Sequence, residues 1–410
     1  MTTTNTSVLV VGGGPAGVTA ALQASELGAR VTLLEAAQVG GTSLNSGPAP
    51  VRTLARAARL ARDWSSWAAF GLTGAAPVPD LPAVLANSER VARYAQARLP
   101  IPGADLALTY EDIPSLASLP GRVAVIGGAD TGCQIASIFA DLGAAVTLFE
   151  GGPILVPAAD EDVSAELGRA FRSRGMTVAT GTLVTGLRQA EESIRIDHRC
   201  GQTPGWTLAD AVFFGVGWPA SIAKLNLEAA GIHAEPAAIA VDGYLRTNVG
   251  HIFAVGDVNG HLMLVQIARH EGRIAARNAV LGPAAQAAYD VVPSGSFTDP
   301  QYGRVGLTET QAAQHHDAVT GVARYDDLLR PVADGRPDGF CKLIADRHTQ
   351  ALSLPGRATR SSGACWPGVR SRTHRWAGRG PGWPRRARRS CRGGGSRDRR
   401  RSRAPGRCDA

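Results

Sequence analysis

The sequence predicts an α/β protein containing two three-layer units, each built on a parallel sheet, followed by a smaller α+β region. Two observations carry this: a strand, a glycine turn, a helix and a second strand occur in that order at residues 8–35, and the same order returns at residues 123–150. A third supports it. A chain of 410 residues with 44% hydrophobic content has room for two or three domains with cores of their own.

In the first unit, Val8 to Val11 is a short apolar run of the kind expected for a strand buried on both faces. It leads into Gly12-Gly13-Gly14-Pro15-Ala16-Gly17 and a helix carrying Ala20 and Ala21. Gly12 permits the tight turn, Gly14 lets a pyrophosphate approach the backbone, and Gly17 allows close helix packing. The helix N-terminus, with Pro15 and Ala16 in its first turn, offers free N–H groups and a favourable dipole to phosphate. The second strand, Val31 to Leu34, ends in Glu35, 18 residues past Gly17 and placed to accept from ribose hydroxyls. Strand, turn, helix and acid at this spacing predict a Rossmann-like dinucleotide site.

The second unit repeats the design. Val123 to Ile126 leads into Gly127-Gly128-Ala129-Asp130-Thr131-Gly132, a helix runs through Ile135 to Leu142, and the strand Val146 to Phe149 ends in Glu150. Ala129 replaces the middle glycine and adds a methyl group beside the pyrophosphate. Glu150 favours NAD, because a carboxylate repels the 2′-phosphate of NADP; Arg172 or Arg174 nearby would reverse that preference.

Further segments bring a family into view. Thr247-Asn248-Val249 precedes Ile252-Phe253-Ala254-Val255-Gly256-Asp257, Phe214 to Pro219 reads Phe-Gly-Val-Gly-Trp-Pro, and Phe297-Thr298-Asp299-Pro300 precedes Val305-Gly306-Leu307-Thr308-Glu309. With Gly40-Gly41-Thr42, these resemble, in order, the pyridine nucleotide-disulfide oxidoreductases, the family that includes dihydrolipoyl dehydrogenase and mercuric reductase. The resemblance implies FAD on the first cradle, NAD(P)H on the second, Asp257 accepting from the ribityl chain, Gly217 near the nicotinamide nucleotide, and a homodimer. It also implies that the second unit is inserted in the first. The FAD part then covers 1–112 and 251–292, the NAD(P) part 113–250, a partial dimerisation domain 293–350, and an Arg-rich tail 351–410.

The departures shape the expected chemistry. In the family, a cysteine pair follows Gly-Gly-Thr and a lysine follows the pair; here those positions hold Ser43, Pro48 and Arg52, after Gly41 and Thr42. The family's glutamate partner of that lysine is Gln134. Neither a serine hydroxyl nor a proline can cycle between dithiol and disulfide, so thiol exchange is excluded at this position. The expected activity is therefore hydride transfer from NAD(P)H to flavin and on to a small-molecule acceptor needing no protein thiol, such as a quinone, oxygen or a second nicotinamide. No side chain is required as a nucleophile. The stretch between Arg52 and Pro100-Ile101-Pro102-Gly103 is also too short for the strand meander that the family places there.

The tail sets two alternatives. Residues 351–410 hold 17 Arg, no Lys and 2 Asp, a net +15, which leaves 8 − 15 = −7 on residues 1–350. With almost no aliphatic side chains after residue 355, such a segment cannot offset its ordering entropy and is expected to be disordered. Its composition is that of a GC-rich gene read out of frame, which makes an inactive remnant of such an enzyme one alternative. Nucleic-acid binding through the Arg/Gly-rich tail, with Trp366, Trp376 and Trp383 as stacking groups, is the other.

The six cysteines lack zinc-site or disulfide-framework spacing, Met1 to Ser7 is polar, and no apolar run reaches the ~20 residues of a membrane span. A cytoplasmic protein without membrane contact is expected. His315-His316 and His270-Glu271 lack a third ligand and read as solvated surface residues; Asp160-Glu161-Asp162 reads as a charged helix start.

Overall fold

A computed structural model describes residues 6–45, 47–84, 102–103, 106–217, 220–235, 238–349, 352–353 and 357–359. The chain divides into two units, 1–369 and 370–410, and the second lies wholly outside the described residues. Expectations for the tail beyond Thr359, and for Trp218 and Pro219, fall outside them too.

The first nucleotide unit opens with β1 (Ser7–Val11), α1 (Pro15–Glu26) and β2 (Arg30–Leu34), followed by α2 (Gly41–Asn45) and α3 (Pro48–Asp63). β1 and β2 pair in parallel, Val8 opposite Val31 and Val10 opposite Leu33. One face of this sheet lies under α1 through Val8, Ala20, Ala24 and Val31. The other face is bare: Leu9 and Val11 are 62% and 63% exposed, and Leu34 51%. Among the described residues this sheet has two strands.

The second unit is complete by comparison. β3 (Arg122–Ile126), α4 (Asp130–Asp141), β4 (Ala145–Phe149), α5 (Glu161–Ser173), β5 (Thr177–Ala179) and, after a hairpin layer, β9 (Ala211–Phe214) form a four-stranded parallel sheet in the order β5-β4-β3-β9. The hairpin layer is antiparallel: β6 (Thr182–Ala190), β7 (Ser193–Cys200) and β8 (Thr203–Ala209). Phe139, Leu148, Phe171 and Phe213 are buried on one face of this sheet and Ile126, Phe149, Val212 and Phe214 on the other, so it is covered on both. Asp160 is the residue before α5, and Glu161 and Asp162 lie in its first turn, where acids interact favourably with the helix dipole.

The chain then returns to the first unit. After β10 (Ala234–Glu235) and β11 (Ala238–Ile239), Gly256 comes against Ala16 of α1, and α6 (Val265–Leu281) packs on α1 through small residues. A side chain at Gly272 would stand 2.4 Å from the Ala16 carbonyl oxygen, so only glycine permits this approach. The apolar segment Ile252–Val255 forms one bridge, between Phe253 and Arg246. A strand exists only where a neighbour accepts its backbone bonds, and β1 offers this segment no ladder.

The last region is an antiparallel sheet of β12 (Ser294–Ser296), β13 (Gln301–Arg304), β14 (Ala318–Arg324), β15 (Phe340–Asp346), β16 (Leu352–Ser353) and β17 (Arg357–Thr359), with α7 (Glu309–His315) and α8 (Leu329–Ala333). β17 pairs with β13, so strand structure extends past the 350 boundary read from composition; backbone pairing needs no apolar pattern over three residues.

Candidate functional site

The two glycine turns have the same construction. Gly12 and Gly127 carry φ of +100° and +108°, which disfavours any side chain. A Cβ at Gly17 would meet the Gly12 carbonyl oxygen at 1.8 Å, and one at Gly132 would meet that of Gly127 at 1.8 Å. Both helices can therefore reach their strands only without side chains at these positions. Gly14 and Ala129 share an extended backbone, φ −70° and −79°, so neither requires glycine for its conformation. Nothing lies within 4 Å of a Cβ built at Gly14. The first turn thus has room for a methyl at this position, and Ala129 holds the same backbone conformation in the second.

The acids at the strand ends are also twins. The Glu35 carboxylate accepts from the Gly13 N–H at 2.5 Å and from that of Ala37 at 2.9 Å. Glu150 accepts from Gly128 and Gly152, both at 2.6 Å. Two bonds leave each carboxylate lone pairs for ribose hydroxyls. Of the two Arg considered as readers of a 2′-phosphate, Arg174 is committed, pairing with Asp141 and donating to the Asp299 carbonyl, whereas Arg172 makes one long bond, to the Val178 carbonyl at 3.4 Å.

A cavity of about 2490 Å³ joins the two turns, with Gly14, Glu35 and Asp257 at one end and Asp130, Gln134 and Gly217 towards the other. Gly41 closes on the first turn, where an added Cβ would lie 2.8 Å from the Gly14 Cα. Thr42, Ser43 and Pro48 line the cavity, as do Arg52 and Tyr302, and no cysteine does so among the described residues. The Cys133 thiol lies behind the second turn, donates to the Gly128 carbonyl at 3.2 Å and has its pKa raised well above the usual range by burial. Arg52 is stacked on the Phe297 ring at 4.2 Å, and Gln134 is bonded to the Asp130 carbonyl, so the two do not pair with each other here.

Glu271 corrects the sequence reading, which placed His270-Glu271 on the solvated surface. Its side chain is fully buried and accepts from the Gly256 N–H at 2.6 Å, the Asn259 amide at 2.9 Å and the Tyr289 hydroxyl at 2.7 Å. It thereby clamps the turn that presents Asp257, whose carboxyl is pushed up by burial and by the Glu271 charge. The signal was periodicity: Ile267, Ala268, Glu271, Gly272, Ala275 and Ala276 form one buried face of α6. Phe297 and Tyr302 were missed as site residues because nothing local marks them; the fold carries them to the cavity from the last sheet. No cluster of three metal-ligating side chains occurs among the described residues.

The geometry fits the two dinucleotides: open ground before Gly14 and Gly217, an acid at each ribose position, and one cavity connecting both turns. Comparison with known proteins agrees. Family models match residues 7–66 (FAD dependent oxidoreductase), 91–272 (pyridine nucleotide-disulphide oxidoreductase) and 292–353 (its dimerisation domain). The dihydrolipoyl dehydrogenase of Zymomonas mobilis is 30% identical over 404 residues, covering 84% of this chain and 86% of that protein. That of Bacillus subtilis is 27% identical over 397 residues, covering 83% and 86%. In structure, the HOCl-induced flavoprotein disulfide reductase RclA from Escherichia coli superposes with a TM-score of 0.74 at 23% identity, over 86% of this chain and 89% of that one. The protein is an FAD-dependent pyridine nucleotide oxidoreductase, using FAD and NAD(P)H, and the chain belongs to the pyridine nucleotide-disulphide oxidoreductase family.

Proposed function

We propose that the enzyme oxidises NADH and delivers the electrons from flavin to a small-molecule acceptor without a protein thiol. The observation that carries this reading is the pair Ser43 and Pro48 at the cavity wall, together with the absence of any cysteine from its described lining. The hydride chemistry is supplied by flavin and nicotinamide when they are bound; the protein contributes binding, orientation and electrostatics. Gly12 to Gly17 and Glu35 would hold the FAD pyrophosphate and ribose, and Asp257, steadied by Glu271, the ribityl chain. Gly127 to Gly132 and Glu150 would hold the nicotinamide dinucleotide. Arg52, fixed on Phe297, would keep a positive charge on the cavity wall where reduced flavin gains electron density. The acid at Glu150 favours NADH over NADPH, because a carboxylate repels a 2′-phosphate.

The test is anaerobic mixing of NADH with flavin-loaded protein whose thiols have been alkylated. Bleaching at the rate of untreated protein is expected, followed by turnover when quinone or oxygen is then admitted and none with lipoamide. Loss of bleaching on alkylation, or turnover of lipoamide, would sink the reading. A dimer formed through the last sheet is part of the same proposal, and sedimentation at about twice 42.6 kDa checks it.

One observation favours a second reading, an inactive remnant: the bare face of the two-stranded β1–β2 sheet. Protein that is folded but colourless after reconstitution with excess FAD would establish it.

A further inference from the structure

Asp130 opens α4 immediately after Ala129, on the turn where a dinucleotide's phosphates would meet the helix N-terminus. A carboxylate there opposes the phosphates, because like charges a few ångströms apart in a partly buried cleft repel strongly. The structure turns this carboxylate elsewhere. Its Oδ1 accepts a hydrogen bond from the Tyr302 hydroxyl, carried by β13 of the last sheet, 172 residues further along the chain. Tyr302 is buried, and both side chains line the cavity. The neighbouring backbone is pinned to the same helix, since the Asp299 N–H donates to the Ser137 hydroxyl at 3.0 Å. Gln134 does not compete for the carboxylate, because its amide is bonded to the Asp130 backbone carbonyl at 3.0 Å.

We propose that Tyr302 is a positioning residue for the nicotinamide dinucleotide: its hydroxyl holds the Asp130 carboxylate off the glycine turn, so that the helix N–H groups face the phosphates unopposed. The inference rests on the reading of residues 127–132 as the NAD(P)H cradle. Burial and the Asp130 charge push the Tyr302 phenol well above its ordinary range, so it remains a donor at every working pH. The arrangement also ties dinucleotide affinity to the docking of the last sheet on α4, a dependence that neither segment reveals alone.

The experiment is calorimetric titration of NAD⁺ into the flavin-loaded full chain, compared with Tyr302→Phe, Asp130→Asn and the double variant. Tyr302→Phe deletes one oxygen and should weaken NAD⁺ binding about tenfold, as the freed carboxylate turns towards the phosphates. Asp130→Asn should bind at least as tightly as the parent, and adding it to Tyr302→Phe should restore affinity to within about twofold. Unchanged affinity in Tyr302→Phe overturns the proposal. So does a double variant as weak as the single one, because a merely structural role for the hydroxyl would not be rescued by neutralising Asp130. A parent protein that binds FAD but no NAD⁺ overturns the cradle reading itself and the proposal with it.

Discussion

Glu271 shows how one residue can serve the site from outside the cavity. Three donors converge on its buried carboxylate, and removing it strands the Gly256 N–H and leaves the Asn259 amide and the Tyr289 hydroxyl only longer contacts, with the Ala254 carbonyl at 3.5 Å and with His261 at 3.3 Å. Glu271→Ala is expected to cost about 2–4 kcal/mol in chemical denaturation and to lower flavin content, whereas Glu271→Gln, which keeps an acceptor for Gly256 and Asn259, should cost less than half as much. Asp257 sets a pH dependence. Its folded-state pKa is raised, so its stabilising contribution is present below the unfolded value of about 3.9 and is lost as the pH rises through the higher folded value. At neutral pH the ionised carboxylate is a net cost to the empty fold. Asp257→Asn should therefore raise the thermal midpoint of flavin-free protein at pH 7, with a gain that shrinks as the pH falls towards about 4. A constant gain across that range would contradict the assignment.

Between elements, charge and apolar surface divide the work. Arg62 on α3 pairs with Asp141 on α4 and with Asp299 in the last region, Arg174 from the end of α5 joins Asp141, and Arg336 pairs with Asp63 at 2.7 Å. The side chains of Asp141 and Asp299 are 3% and 4% exposed, and burial raises the pKa of Asp141 against the pull of its arginines. Removing Arg62 leaves both acids short of a partner. Arg62→Met is expected to destabilise by about 3 kcal/mol in urea unfolding, and an effect under about 1 kcal/mol would place this cluster with ordinary surface ion pairs. β1 and β2 present the opposite case, apolar side chains without cover. Leu9→Thr should change stability by less than about 1 kcal/mol while reducing light scattering on concentration, because a bare apolar strand face promotes association.

For the whole molecule, net charge is split along the chain. Residues 360–410 hold 16 Arg and 2 Asp, a net +14, leaving 8 − 14 = −6 on residues 1–359. If the tail serves nucleic acid, full-length protein should bind single-stranded RNA with strong salt dependence, and truncation after Thr359 should abolish that binding while leaving NADH-dependent flavin bleaching intact. Truncation that removes the bleaching would instead assign the tail to the enzyme.

Much of the architecture was legible because its determinants are local. Gly12, Gly17, Gly127 and Gly132 are dictated by backbone conformation and by contacts within five residues, and Glu35 and Glu150 lie one strand away. The single bridge at Phe253 was not legible, since an apolar run cannot state whether a neighbour will pair with it. Tyr302 and Phe297 gave no signal, because their meaning lies in partners on distant elements.

The sequence by itself determined two glycine turns, the acid one strand beyond each, and a serine and a proline at positions 43 and 48, all of which follow from which atoms a short segment carries and how it can bend. Only the tertiary structure decided that Glu271 is buried, that Arg174 is committed to Asp141, and that Tyr302 reaches Asp130. Those facts depend on which surfaces meet after folding, and residues 172 positions apart acquire a shared energy only when packing brings them within bonding distance.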